Sequence, residues 1–437
     1  MHLVSSFGEL LQQLSSVMTV PTFATFVTVM TGWVFARRRT VTGMILAADA
    51  VGTKHHSAFH RLFANAEWAL DDLGLAVFKL IAPWLDPRRP IMLAIDDTLA
   101  RKRGLKVYGV GMHHDPLLST RKTALMNWGH SWVVLSVMVR FPFCSESYFA
   151  LPILFRLYVN KQTVAKKGGW YRTRPELAVD MLYRLCRAHE DRCFHLVADS
   201  TYGGQSVLGD LPNNCDLTSR LDLDARLHDA PPVRKPGTNG RPRKRGNRLP
   251  SPRQMLTDRA RRRTLNIYGR RDKVRTVDTV ACAYAVPTRP LRVVAVEPLT
   301  GGRRVQAFYS TRSQASPEQV LIWYATRWSI EVAFQNSKTH LGFEEPQGWT
   351  RRAVERTAPT AMLLYSLIVL WFARGGHRHY RQPDRPWYPT KRHASFADML
   401  TTLRRESVRE QVLSIPPSGG GGRKVLRALL HAIQQAA

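Results

Sequence analysis

The chain has 437 residues, enough for two or three domains and a sizeable core. With 44% apolar and 22% charged residues it is neither a disordered chain nor a fibrous repeat. Its 64 Lys and Arg against 33 Asp and Glu give +31 at pH 7, a field that suits a polyanion, with nucleic acid the leading partner and an anionic membrane its competitor.

Leu10 to Ala36 carries no charge and precedes Arg37-Arg38-Arg39, a length that could cross a bilayer. Pro21, two Gln and repeated Thr within it argue for buried helices, so no membrane span is expected. No basic stretch precedes it, so a signal peptide is not expected either. Residues 1–88 read as an N-terminal helical domain. Gly52 lies where the turn of a helix-turn-helix would fall, and a DNA-reading module and a packing bundle both fit.

From Pro90 the texture changes. Ile91 to Ile95, Trp132 to Phe141 and Phe194 to Ala198 are strand candidates. Arg174 to His189 starts at Thr-x-Pro-Glu and carries Leu177, Met181, Leu182 and Leu185 on one stripe, which predicts a helix. Residues 89–211 therefore read as a mixed α/β sheet. Residues 212–316 hold a Pro/Gly/Arg-rich stretch and then short strand-like runs, a basic β-rich insertion. Residues 317–376 return to helix, first over Gln319 to His340. The apolar run Ala361 to Ala373 reads as a core helix too short to span a membrane. Residues 377–437 form a tail with a Gly419 to Gly422 linker and a short amphipathic helix, Arg423 to Gln435. Five scattered cysteines without a C-x-x-C pair suggest neither zinc nor disulfides and fit a reducing cytoplasm.

Three acids stand out. Asp97 and Asp199 each end a candidate strand, where a carboxylate is held rigidly yet faces solvent. Glu331 lies on the helix after the insertion. At about 100° per residue, Tyr324, Arg327, Glu331 and Lys338 share an arc roughly 60° wide. The competing reading is a solvated face with an Arg327–Glu331 ion pair. Converging carboxylates without His or Cys suit Mg²⁺ or Mn²⁺. Two such ions are a standard means of activating water and stabilising a leaving 3′ oxygen.

The spacing Tyr324-x-x-Arg327-x-x-x-Glu331, with Lys338 beyond, resembles the Y-R-E-K signature of bacterial insertion-sequence transposases of the DDE superfamily. Asp96-Asp97-Thr98, Ala198-Asp199-Ser200 with Tyr202-Gly203-Gly204, and Arg327-Trp328-x-Ile330-Glu331 are similar to that family's three acidic blocks. The resemblance runs from about Pro90 to Ala373. It implies an RNase H-like mixed sheet with flanking helices, interrupted by a β-rich insertion between the second acid and the Glu. The 131 residues between Asp199 and Glu331 leave room for one. It also implies Asp97, Asp199 and Glu331 as ligands of two Mg²⁺ or Mn²⁺ ions, and Tyr324, Arg327 and Lys338 as contacts to transposon-end DNA. Asp96 is the rival for the first position. The family places the ligand directly before Thr, which selects Asp97.

The insertion adds its own signal. Arg234 to Arg275 holds 16 Lys and Arg against Asp258 and Asp272. Such density binds phosphate without sequence preference. Arg241, Arg243, Lys244, Arg245, Arg261, Arg262 and Arg263 are its candidate DNA contacts. Some relatives hold a flipped base with a Trp here, but no Trp lies between Asp199 and Pro317; Tyr268, Tyr284, Phe308 and Tyr309 are the aromatics of interest. Gly109-Val110-Gly111 reads as a turn, His113-His114-Asp115 is a weak metal motif, and His377-Arg378-His379 reads as a basic loop. The expectation is a cytoplasmic cut-and-paste DNA transposase acting as a homodimer on double-stranded DNA. A silent transposase-derived DNA-binding protein and a stand-alone metal-dependent nuclease are the alternatives.

Overall fold

The computed structural model describes residues 1–115, 118–120, 123–234, 240–267, 270–299, 304–382 and 391–414, with 425 and 429. The Gly419 to Gly422 linker, the helix expected over Arg423 to Gln435, and Tyr268 lie outside the described residues.

The N-terminal segment forms α1 (Ser5–Gln12), α2 (Val20–Phe35), α3 (Val41–Ala47), α4 (His56–Ala64) and α5 (Leu70–Ile81). Pro21 sits in the first turn of α2, where a missing N–H costs nothing. Gly32 lets α2 touch α3: a Cβ there would come within 2.0 Å of the Met44 carbonyl oxygen.

The strands are β1 (Ile91–Arg101), β2 (Gly111–His114), β3 (Met126–Phe141), β4 (Cys144–Tyr158), β5 (Phe194–Ala198), β6 (Cys215–Leu221), β7 (Leu227–His228), β8 (Arg248–Leu249), β9 (Arg261–Ile267), β10 (Arg270–Ala283), β11 (Val286–Pro298) and β12 (Gln306–Ser310). The remaining helices are α6 (Lys161–Lys167), α7 (Arg174–Ala188), α8 (Gln205–Leu208), α9 (Pro252–Arg259), α10 (Pro317–Thr326), α11 (Trp328–Leu341), α12 (Arg351–Arg374) and α13 (Phe396–Leu413).

The central part of the sheet runs β4-β3-β1-β5-β6. β3 runs antiparallel to both of its neighbours, β1 and β4, and β5 and β6 run parallel to β1. With helices on both faces this is the RNase H-like arrangement. α7 starts at a capping box between Thr173 and Glu176, the signal read from the sequence.

Two expected boundaries are crossed by the packing. A division at 212 assigns β6 to the insertion, yet β6 pairs in parallel with β5 as the last core strand. The sheet then continues through β12, β11 and β10, so the insertion extends the core sheet. The helices before residue 88 do not stand apart either. Trp33 donates to the Leu341 carbonyl at 2.8 Å, Arg404 of α13 donates to the Val34 carbonyl at 2.7 Å, and Arg356 of α12 donates to the Ala66 carbonyl at 2.7 Å. One apolar cluster joins these helices, α12, α13 and the sheet. The turn at Gly52 leads into an α4 that packs on α12.

α12 corrects another expectation. At 24 residues it is long and apolar enough to cross a membrane. Its apolar window is 94% buried within the protein, because it is wrapped on all sides by α4, α5, α11, α13 and β4.

Candidate active site

The site forms where the sheet opens. β1 pairs with β5 only as far as Ile95, opposite Ala198. β5 ends there, while β1 continues along β3 to Arg101, opposite Gly129. Asp96 and Asp97 thus lie within β1 rather than at its end, beyond the last residue of β5, and Asp199 follows Ala198 directly.

Adjacent strand residues face opposite sides of a sheet, and the two aspartates do so. Asp96 ion-pairs with Arg327 at the α10–α11 junction. Asp97 accepts from the Tyr202 hydroxyl at 2.9 Å and pairs with Arg174 of α7 at 3.3 Å. Burial, with the Asp199 and Asp97 charges adding, pushes Asp96 up to about 7 in spite of Arg327. Burial also raises Asp97, against the pull of Arg174 and Tyr202. Asp199 closes a turn: its Oδ1 accepts from the backbone N–H of Thr201 at 2.9 Å and of Tyr202 at 3.3 Å. Gly203 is needed here, since a Cβ would come within 2.0 Å of Ser219 Oγ.

The helix expected over Gln319 to His340 is broken at Arg327 into α10 and α11. The arc expected of an unbroken helix therefore does not describe one face. α10 is held by His195 of β5, whose ring lies 4.4 Å from that of Trp323. Arg327 Nη2 donates to Glu331 Oε1 at 2.6 Å, and Nη1 binds Asp96. The i,i+4 pair thus exists, but it is turned onto the sheet, with the Arg327 side chain only 15% exposed.

Two sequence-predicted DNA contacts are placed elsewhere. Tyr324 is 8% exposed, its ring 4.6 Å from Phe308 in a core shared by β5, β11 and α10. Lys338 donates to the Leu99 carbonyl at 2.7 Å and lies 3.8 Å from Glu344. Burial lowers its pKa. In this conformation Tyr324 fills the core and Lys338 fastens α11 to β1, so neither is presented to a phosphate.

The sequence model of the DDE superfamily endonuclease family matches residues 31–280, more than half of the chain. The chain belongs to this family. No curated protein matches it. The matched span contains Asp96, Asp97 and Asp199 and ends before Glu331. Membership makes the protein a nuclease- or transposase-type enzyme whose substrate is DNA, in a superfamily that generally uses divalent metal ions.

The side chains at this site can be judged against such an ion. Asp96, Asp199 and Glu331 offer hard carboxylate oxygens, the ligands that Mg²⁺ and Mn²⁺ prefer. Among the described residues, no three His, Cys, Asp or Glu side chains are gathered tightly enough to hold one ion; the Arg327 guanidinium lies between Asp96 and Glu331. The carboxylates fit the group, and the arginine takes part of its place. Asp97, the residue the motif selects, turns toward α7 and Tyr202, whereas Asp96 meets Arg327; the Asp199 charge acts on both aspartates. Arg174 and Tyr202 were not singled out from the sequence. The Thr173 cap fixes where α7 begins, but which acid its first residue meets depends on the strand face.

In the insertion, Arg241, Arg243 and Lys244 are exposed. Arg245 is not free: it lies 3.6 Å over the Tyr284 ring and donates to that residue's carbonyl at 3.0 Å. Arg261, Arg262 and Arg263 project from β9, with Arg263 3.8 Å from Asp278. Phe308 and Tyr309 are buried, whereas Tyr284 is exposed. His113 and Asp115 are buried, with Asp115 paired to Arg101 at 2.8 Å.

Proposed function

We propose that this DDE enzyme is a transposase of the Y-R-E-K branch, of bacterial insertion-sequence origin. It cuts transposon ends and joins the freed 3′-OH to target DNA, with two protomers pairing two ends in the cytoplasm. The observation that carries the reading is the convergence of Asp96 and Glu331 on Arg327, with Asp199 beside Asp96. Asp96, Asp199 and Glu331 would hold the ions, Asp96 taking the role the motif gave to Asp97. Bound divalent ions supply an activated water and neutralise charge on the leaving 3′ oxygen. The exposed arginines of β9 and of the 241–244 segment hold the flanking phosphates, which positions the strand without reading it. Arg174 and Tyr202 keep β1 and the Asp199 turn in register from the opposite face.

The test is nicking of a supercoiled plasmid in Mn²⁺, followed by excision from a donor that carries the gene with its natural flanks. Asp96→Asn, Asp199→Asn and Glu331→Gln should each abolish nicking while DNA binding persists. Sequenced insertions bounded by short direct repeats would establish strand transfer. Nicking without any joined product would leave a nuclease, and wild-type nicking by all three variants would remove the site.

A further inference from the structure

Among the described residues, Arg156 and Arg327 each bind a pair of carboxylates, and they differ. Arg156 bonds through every guanidinium nitrogen: Nε binds Asp180, Nη1 binds Asp71 and the Phe155 carbonyl, and Nη2 binds Asp71. That is an arginine built into the structure, tying α5 and α7 to β4. Arg327 binds Asp96 and Glu331 through its two terminal nitrogens, but its buried Nε has no hydrogen-bond partner. It sits at a helix junction, where the backbone has already left the regular i to i+4 ladder.

We infer that Arg327 is a placeholder cation, competing with the divalent ion for Asp96 and Glu331. This rests on the metal-site reading above. While the guanidinium holds the two carboxylates, it offsets part of their charge and keeps them apart from an ion. When it leaves, both become available together, and its freed donors lie next to the bound strand, where a phosphate can accept them. DNA and metal then favour the same displaced conformer, and by linkage each tightens the other. The device keeps the site from charging with metal until DNA is present.

The experiment measures Mn²⁺ affinity of the full chain by the electron paramagnetic resonance of free Mn²⁺, with no activity readout. Arg327→Gln should bind Mn²⁺ tighter than wild type by about tenfold, within the usual range of a coupling between sites. Adding a short duplex should raise wild-type affinity toward the variant's and change the variant little. Equal or weaker binding by Arg327→Gln would overturn the inference. If melting curves show that this variant does not fold, Arg327→Lys decides. Its ammonium cannot span both carboxylates, so affinity should again rise, and unchanged or weaker affinity overturns the inference. Asp96→Asn separates the two readings. If it binds Mn²⁺ like wild type, the metal site itself fails. If it loses Mn²⁺ while the Arg327 variants are unchanged, only the placeholder fails.

Discussion

The Tyr202 hydroxyl donates to Asp97 Oδ1 at 2.9 Å, across 105 residues of chain. The same residue's backbone N–H donates to Asp199 Oδ1 at 3.3 Å. Tyr202 is fully buried, so it acts as a brace between β1 and the turn that carries the second acid. Removing the hydroxyl strips a buried carboxylate of a donor, which costs about 1–3 kcal/mol. Tyr202→Phe should therefore lower the urea midpoint with an unchanged slope, while the cavity stays filled by the ring. An unchanged midpoint would show that Arg174 and Ser131 suffice for Asp97.

Asp96 and Asp97 make a sharper pair of variants. Both substitutions to Asn are nearly isosteric. Asp96→Asn removes an anion from the side facing Arg327 and Glu331, and should eliminate Mn²⁺-dependent nicking. Asp97→Asn keeps an acceptor for Tyr202 and leaves the Glu331 side untouched. It should lower the melting temperature and slow nicking without ending it. Nicking assays of the two beside melting curves check this, and the reverse order of severity would restore Asp97 as the ligand.

The two helix residues that the motif assigns to DNA, Tyr324 and Lys338, should behave as packing residues. Tyr324 lies in the core with Phe308, and truncating a buried aromatic costs about 3–5 kcal/mol. Lys338→Ala loses the bond to the Leu99 carbonyl, worth about 0.5–1.5 kcal/mol. Both should unfold at lower urea than wild type. If Lys338→Ala melts like wild type yet binds DNA more weakly, α11 must rearrange on DNA to release its ammonium.

Much of this arrangement was legible in the sequence. The apolar run before Asp96, the run before Asp199 and the Thr173–Glu176 cap each announce their element through local chemistry. What was hidden depends on partners distant in sequence. Alternation says that Asp96 and Asp97 face apart, but not which face receives α11. Pairing with β3 carries β1 beyond its acids, although polar Asp96-Asp97-Thr98 reads as a strand end. Helical periodicity cannot show the break at Arg327, because Arg is a good helix former and its own backbone is helical at the junction. Tyr324 reads as polar in an arc of charges, and only the arrival of β12 with Phe308 makes it core.

The basic insertion divides by geometry. Arg241, Arg243 and Lys244 are exposed, while Arg245 is stacked on Tyr284. Neutralising the first three should weaken binding to any duplex and reduce the salt slope by up to about three, near 0.9 for each phosphate that is no longer neutralised. Arg245→Gln should instead loosen the chain around residues 245–248, where Arg245 is held on Tyr284, seen as faster proteolysis there with a smaller change in slope. Binding titrations across a salt series separate the two, and an unchanged slope for the triple variant would mean that the segment is a solvated spacer.

The last prediction concerns pH in the absence of metal. Burial raises Asp96 from 3.8 to about 7, so the folded state holds a proton that the unfolded chain has already released. Where the folded state binds more protons, stability falls as pH rises. The loss begins near the unfolded pKa of about 3.9 and is complete once pH passes the folded value near 7. Above that, the ionised carboxylate keeps a fixed penalty that Arg327 only partly offsets. Asp96→Asn cannot ionise, so it should lack this component. Urea midpoints in EDTA, measured between these two limits, should fall more steeply for wild type than for Asp96→Asn. The two curves should be parallel above the upper limit. Parallel curves across the whole range would show that Asp96 is already ionised at low pH and that the guanidinium neutralises it fully.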